Sequence, residues 1–478
     1  PNTFYRRNNI TANASAKLGD KVTTKFNLAY SNINQRTIQG QALGGGFVGP
    51  YQILIQTPVN IPLSEVRDYN SIYQDFNGYY GGYTPNPFWL MDNTNNDNKT
   101  DNVLGSVELE YKPVSYISLM ARAGTNFTTS NSYISRPKYK YAIGGANPTD
   151  ADKYTEQVNR RNDITLDITA AFNKEIVKNV NLSVLAGYNF YDRKTNDIFG
   201  ETRGGLVVPG FYHLSNSIGQ ALAVNDIDHY RLIGLYGNIN IGWKNMLFAE
   251  YSARNDWSST LPVKNNTFFY PSVNASFVFT DAFKISTNTF NFGKIMASYA
   301  KVGKAAAPYV LTNTYQAPNI TDGHANSLLN FPVNGVAGYT LGDVVSNPDL
   351  KPEFTRAIEI GADLAFFNDR VGITADYYDN VSDGQIFTAP FPASSGYLGK
   401  VINAGKFTNK GIEALLRLTP VDSKKGIRWD ISFTYTKNKS LVEEIYPGLD
   451  QISLNIGQAP FSANPGNSFT GGAIVLQE

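Results

Sequence analysis

Arg428-Trp429-Asp430-Ile431-Ser432-Phe433-Thr434-Tyr435-Thr436 sorts its side chains by parity. Trp429, Ile431, Phe433 and Tyr435 fall on one side. Arg428, Asp430, Ser432, Thr434 and Thr436 fall on the other. Successive side chains of a strand point to opposite faces, so this stretch makes one apolar and one polar surface. Asn181-Leu182-Ser183-Val184-Leu185-Ala186-Gly187-Tyr188-Asn189-Phe190 reads the same way, as do residues 233–241, 25–31 and 164–169. Alternation, not helical period, dominates the chain.

The alternating segments come in pairs. Short turns are expected near Leu18-Gly19-Asp20, Lys112-Pro113, residues 173–179, Trp243-Lys244-Asn245, residues 280–286, Asn368-Asp369-Arg370 and residues 422–426. Longer polar stretches separate the pairs, at residues 36–98, 137–152, 200–225, 258–266, 302–352 and 391–400. Seven hairpins give about 14 strands, with short turns at one end and long loops at the other, as in outer-membrane barrels. The turns are about 40 to about 90 residues apart, whereas a propeller repeats roughly every 40–50. Residues 180–198 exceed the roughly 9–11 tilted residues a bilayer needs, so strands project beyond the membrane. Tyr and Phe gather near strand ends, as in Tyr188-Asn189-Phe190-Tyr191 and Phe268-Phe269-Tyr270, where amphipathic rings suit a membrane–water boundary. The expected fold is all-β, a large antiparallel transmembrane β-barrel. Leu182, Val184, Tyr188, Trp429, Ile431 and Phe433 are expected to face lipid, with Arg428, Asp430, Ser432 and Thr434 facing the lumen.

Composition agrees. Lys and Arg total 41 against 40 Asp and Glu, a net charge of +1, without the basic excess of a nucleic-acid binder. Charged residues are only 17%, while Tyr and Phe number 30 and 28 among 478 residues. Cysteine is absent, which removes disulfide scaffolds, thiolate metal sites and thiol catalysis. No run approaches the ~18 apolar residues of a transmembrane helix. The chain opens at Pro1 and closes after Ala473-Ile474-Val475-Leu476, which reads as an internal portion of a longer protein.

Chemical motifs are sparse. Gly44-Gly45-Gly46-Phe47-Val48-Gly49 fits G-x-G-x-x-G, but Pro50 follows and a loop is the expected structure, not a strand-to-helix dinucleotide site. Asp92-Asn93-Thr94-Asn95-Asn96-Asp97-Asn98 is oxygen-rich, yet from Asn93 the sixth and twelfth positions are Asn98 and Leu104, not the Gly and Glu of an EF-hand. A solvated loop is expected, and no calcium or other cofactor. His213, His229 and His324 share no metal-ligand spacing, and Glu443-Glu444 are neighbours only in sequence. No P-loop or G-x-S-x-G occurs, so no catalytic or metal residues are assigned and no enzyme is expected.

One loop differs. Residues 69–91 interleave Tyr69, Tyr73, Phe76, Tyr79, Tyr80, Tyr83, Phe88 and Trp89 with glycine and proline. Rigid rings stack on sugar faces or apolar peptide side chains at little entropic cost, though they also pack against one another. Tyr79, Tyr80, Tyr83, Phe88 and Trp89, with Phe391 and Tyr397 from the 391–400 loop, are the candidate contacts for cargo or a lid.

Residues 346–418 carry a family resemblance. Asn347-Pro348-Asp349-Leu350-Lys351-Pro352-Glu353 precedes a strand containing Glu359-Ile360-Gly361; Pro392-Ala393-Ser394-Ser395-Gly396-Tyr397, Asn403-Ala404-Gly405 and Asn409-Lys410-Gly411-Ile412-Glu413 follow. The series resembles the SusC/RagA branch of TonB-dependent outer-membrane transporters. Arg254-Asn255-Asp256-Trp257-Ser258-Ser259 with Tyr270-Pro271-Ser272-Val273 resembles that branch's R-x-D-x-S-S…P-S segment, with Trp257 where Gly is frequent. The resemblance implies a barrel of roughly 22 strands, of which about 14 or 15 are present. Residues 1–478 would then be part of the barrel domain, with the plug domain and last strands outside this chain. It further implies localisation in the outer membrane of a Gram-negative bacterium, as a multi-pass barrel in contact with lipid. The implied function is import of oligosaccharides or peptides, energised through TonB, under a SusD-like surface lipoprotein, with dimers of importer–lid pairs compatible with the family. Two other readings stay open: a secreted or surface β-sheet glycan-binding protein or adhesin, and an outer-membrane hydrolase.

Overall fold

The computed structural model describes residues 3–37, 41–43, 46–48, 59–71, 86–140, 149–285, 287–316, 336, 338–423, 426–446, 451–453 and 473–475. Fifteen strands join in one sheet. Fourteen are long and pair antiparallel in chain order. They are β1 (Phe4–Leu18), β2 (Val22–Thr37), β3 (Asn95–Val114), β4 (Ile117–Arg136), β5 (Lys153–Val177), β6 (Val180–Glu201) and β7 (Leu222–Trp243). Then follow β8 (Leu247–Ser258), β9 (Thr267–Val278), β10 (Phe290–Lys304), β11 (Glu353–Phe366), β12 (Val371–Pro390), β13 (Gly399–Asp422) and β14 (Arg428–Glu444). The fifteenth, Val344–Val345, runs parallel to the start of β13.

The short and long connections alternate as expected. Between β7 and β8, Lys244 and Asn245 both hold positive φ and Met246 N–H donates to the Trp243 carbonyl at 2.9 Å. That is a type I′ turn, whose twist matches that of the flanking strands. Two turns lie later than the sequence suggested. β3 continues through Lys112-Pro113 to Val114, and the chain reverses at Ser115-Tyr116. Pro113 is tolerated because the ladder shifts register between Tyr111 and Val114, where its missing N–H leaves no gap. β5 likewise runs to Val177, and only Lys178-Asn179 turn, with Asn179 at φ 66°. Residues 280–286 contain a one-turn helix, Phe279–Phe283, ended by left-handed Lys284.

The register carries one apolar face across the sheet. Leu182 lies opposite Ile241, Ile241 opposite Ala249 and Ala249 opposite Ala275. The row continues through Ala297, Ile360, Tyr377 and Ile412. Val184 and Tyr188 lie on this face. So do Ile431 and Phe433, opposite Leu418 and Leu416, and Trp429 shares their parity. Arg428, Asp430, Ser432 and Thr434 take the other face, where Arg428 Nε donates to Asp430 at 2.9 Å and Thr419 Oγ1 donates to it at 2.8 Å. Apolar members of the first face stand open, Ile360 and Phe433 each at 57%. In water each such side chain would forgo about 1.5–3 kcal/mol of burial. A face of this extent is one that meets hydrocarbon.

β5, β6 and β13 have 25, 22 and 24 residues, about twice what a bilayer requires. Their surplus rises on the long-loop side. A small core sits there, with Leu350 fully buried among Leu261, Phe268, Ala306 and Val401. These residues come from the loops after β8 and β10 and from the strand ends beneath them.

Candidate functional site

The polar face is wired by charge. Asp163, 7% exposed, accepts from Arg161 Nη2 at 2.6 Å and from Arg193 Nε at 3.0 Å. Alternation on β5 puts Arg161 and Asp163 on one side, and the β5–β6 register sets Arg193 directly opposite Asp163. Next to it, Arg122 donates to Asp167 at 3.1 Å, and Asn189 donates to Asp167 at 2.7 Å. Arg254 then bridges Asn189 at 3.2 Å and Asp256 at 2.7 Å, while the Tyr270 hydroxyl donates to Asp256. Charge-assisted bonds of this kind are short and directional, and they fix the wall in one geometry.

Above this network opens a cavity of about 740 Å³. Arg193, Asp228, Tyr230, Phe268, Lys304 and Phe387 line it, among others. It mixes aromatic faces with both signs of charge. Asp228 has no ion-pair partner among the described residues. Such a pocket can hold a polar, extended ligand by ring contact and hydrogen bonds.

The motifs that carry the family resemblance hold the loops over this cavity. In the 347–353 segment, Leu350 plugs the loop core. Asn403 grips the same segment: its Oδ1 accepts from Lys351 N–H at 2.8 Å, and its Nδ2 donates to the Lys351 and Gly384 carbonyls at 2.8 and 3.0 Å. Buried Glu353 accepts from Ile386 N–H at 2.9 Å. From the β8–β9 loop, Asn265 Nδ2 donates to the Leu350 carbonyl at 3.0 Å, and Lys264 pairs with Asp349. The Lys264 ammonium hydrogen-bonded to Asp349 holds that carboxyl below its ordinary pKa. Ser258 and Thr260, both buried, bond to each other at 2.9 Å.

The predicted contact residues divide. Tyr79, Tyr80 and Tyr83 lie outside the described residues. Phe88 and Trp89 sit on a short helix, Pro87–Asn93, capped by Asn86, whose side chain accepts from Phe88 N–H at 2.9 Å. Trp89 is buried at 8%, and its neighbour Leu90 is fully buried. Phe391 is exposed and Tyr397 half-buried, on a turn between β12 and β13. Those strands deliver Phe387, Thr388 and Val401 to the cavity wall. Arg161, Arg193, Asp228 and Tyr230 were not singled out from sequence, although their parity alone puts them on the polar face.

The other motifs resolve physically. Asp92–Asn98 is a helix end followed by a strand, not a loop. Its side chains diverge: Tyr69 donates to Asp92 at 3.2 Å, Asn93 Nδ2 donates back to the Trp89 carbonyl, and Asp97 pairs with Arg36 at 2.6 Å. Among the described residues no three His, Asp or Glu side chains could hold a metal ion. Gly46–Val48 is a short strand paired with Gln41–Leu43; Gly44, Gly45 and Gly49 are outside the described residues. His213 accepts from Ser215 N–H, His229 pairs with Asp192 at 2.9 Å, and His324 is outside the described residues. Glu443 pairs with Lys406 at 2.6 Å.

An antiparallel sheet with one lipid-suited face, a charged inner wall and a loop-roofed mouth defines a large outer-membrane barrel protein. Residues 12–473 match the family model described as TonB dependent receptor-like, beta-barrel. The chain therefore belongs to the TonB-dependent receptor β-barrel family, with the motifs and fold of the SusC/RagA type, and its place is the outer membrane. TonB-dependent receptor P26 of Formosa agariphila is 27% identical over 466 residues, which cover 95% of this chain and 44% of that protein. Receptor P3 of the same organism is 24% identical, covering 78% and 36%. The RagAB peptide transporter structure superposes with a TM-score of 0.75 at 19% identity, over 94% of this chain and 48% of that one. The chain thus spans less than half the length of the curated relatives it matches.

Proposed function

We propose that the chain is part of the barrel wall of a TonB-dependent importer that takes up oligosaccharides or peptides and catalyses no reaction itself. A SusD-like surface lipoprotein closes the extracellular mouth. Cargo is held between that lid, the long loops and a plug inside the barrel, and energy delivered through TonB displaces the plug. The observation that carries this reading is the cavity at the loop end of the polar wall, with rings and charged groups facing one space. The family supports import as the activity, and the RagAB transporter handles peptides. The aromatic residues suit glycan rings as well, so both cargo classes belong in the test.

The experiment compares cells with and without the full-length gene for uptake of labelled oligosaccharide and peptide mixtures, with and without a protonophore. Import predicts loss of uptake of one class on deletion and the same loss on collapse of the proton gradient. Uptake of both classes unaffected by deletion would refute the reading.

A further inference from the structure

We propose that the outer wall of β5–β7 binds the phosphate groups of lipid headgroups in the outer leaflet. The cross-strand register sets Lys194 opposite His229, Asp192 opposite Arg231 and Asn196 opposite Arg160. By parity these side chains share the face of Tyr188 and Phe190, the lipid side. The row next to Asp192 and Arg231 toward the short turns is Leu166, Phe190, Ile233 and Trp257, apolar throughout. The charges therefore begin one row above the hydrocarbon belt, where headgroups lie.

The cluster is short of acid. Asp192 is shared by Arg231 at 2.8 Å and His229 at 2.9 Å. Among the described residues, Arg160 and Lys194 have no ion-pair partner, and both are exposed. Basic groups brought together on adjacent strands repel. Elsewhere on the same parity Lys301 also lies opposite Arg356, but there Arg356 pairs with Asp383 at 3.7 Å and Lys301 sits over the Phe354 ring. The chain as a whole is nearly neutral at +1, so a general basic excess does not explain the β5–β7 cluster. An anion seated between the strands relieves the repulsion. Three adjacent strands span about 10 Å, the width of a phosphorylated sugar headgroup. Continuity with the apolar belt selects a lipid over a free ion, since acyl chains would lie along Phe190 and Ile233 while phosphate meets Lys194 and Arg160.

The test uses the full-length protein in detergent, titrated with phosphorylated lipid A, dephosphorylated lipid A and inorganic phosphate, with bound species followed by native mass spectrometry. Replacing Arg160→Gln and Lys194→Gln together should weaken binding of phosphorylated lipid A about 30-fold, from the usual contribution of two interfacial cations. Lys112→Gln, near the short turns, should leave it unchanged. Heat-modifiable gel migration reports folding; if the double variant misfolds, Lys194→Gln alone should weaken binding about fivefold. Equal affinity of wild type and folded variant overturns the proposal. So does equal binding of dephosphorylated lipid A. Saturation by inorganic phosphate at the same concentrations would mean a free-anion site and overturns the headgroup assignment.

Discussion

Replacing Asn403 by Leu should release the loop over the cavity without unfolding the barrel. The side chain makes three hydrogen bonds, two to Lys351 and one to Gly384. At about 0.5–1.5 kcal/mol each, their loss removes roughly 1.5–4.5 kcal/mol from the clasp. Leu cannot satisfy the Lys351 N–H or the two carbonyls, which pushes the cost toward the upper part of that range. The segment keeps other anchors, among them the Asn265 contacts, the Lys264–Asp349 pair, buried Leu350 and the pairing of Val344–Val345 with β13, so opening should be local. Hydrogen–deuterium exchange of the full-length protein measures it. Amides of residues 343–352 should exchange about 10- to 1000-fold faster, at 1.4 kcal/mol per decade. Amides of β6 and β7 should not change. Unchanged exchange in residues 343–352 would show that Asn403 does not hold the loop, and global acceleration would show that loop and wall are not separable.

Three further outcomes follow. Ile239→Arg on the lipid side should cost about 2–4 kcal/mol near the midplane, whereas Asn240→Arg next door on the lumen side should be tolerated; urea titration of refolding in lipid reads both. Replacing His213, His229 and His324 together should leave cargo uptake largely intact, and a loss with normal assembly would point to a metal or catalytic role. Phe391→Ala with Tyr397→Ala should weaken capture by the full importer–lid complex about fivefold to a hundredfold if each ring contributes its usual ~0.5–1.5 kcal/mol, with Tyr188→Ala as the lipid-facing control. Equal affinity there would remove the β12–β13 loop from the cargo site.

Much of the fold is legible in sequence because a barrel strand must serve two solvents. Trp429, Ile431 and Phe433 alternate with Asp430, Ser432 and Thr434 for that reason, and the register bears the parity out strand after strand. Turns were legible where Gly or Asn supplies positive φ, as at Gly19 and Asn245. They were misplaced at Lys112-Pro113, where a proline breaks the ladder without ending the strand. The inner wall was harder to see. Asp163 needs Arg193, thirty positions away on the next strand, and only register brings them together. Trp89 was singled out as a ring in a Gly- and Pro-rich loop, and its 8% exposure was not legible from that composition. Asn403 and Leu350 were noticed as a pattern, but their work as clasp and plug appears only once β12, β13 and residues 347–353 are placed together.

If the polar wall and its roofed cavity form the proposed cargo path, that path is open to the outside and sealed from lipid. The chain contains no cysteine, so single replacements can report it directly. Asp228→Cys on the cavity wall and Ile239→Cys on the lipid side would be introduced into the full-length protein, free of other cysteines. Intact cells would then be treated with a membrane-impermeant maleimide, with and without a mixture of oligosaccharides and peptides. Asp228→Cys should be labelled, cargo should suppress that labelling, and Ile239→Cys should stay unlabelled. Labelling of Ile239→Cys together with shielding of Asp228→Cys in the absence of cargo would contradict it.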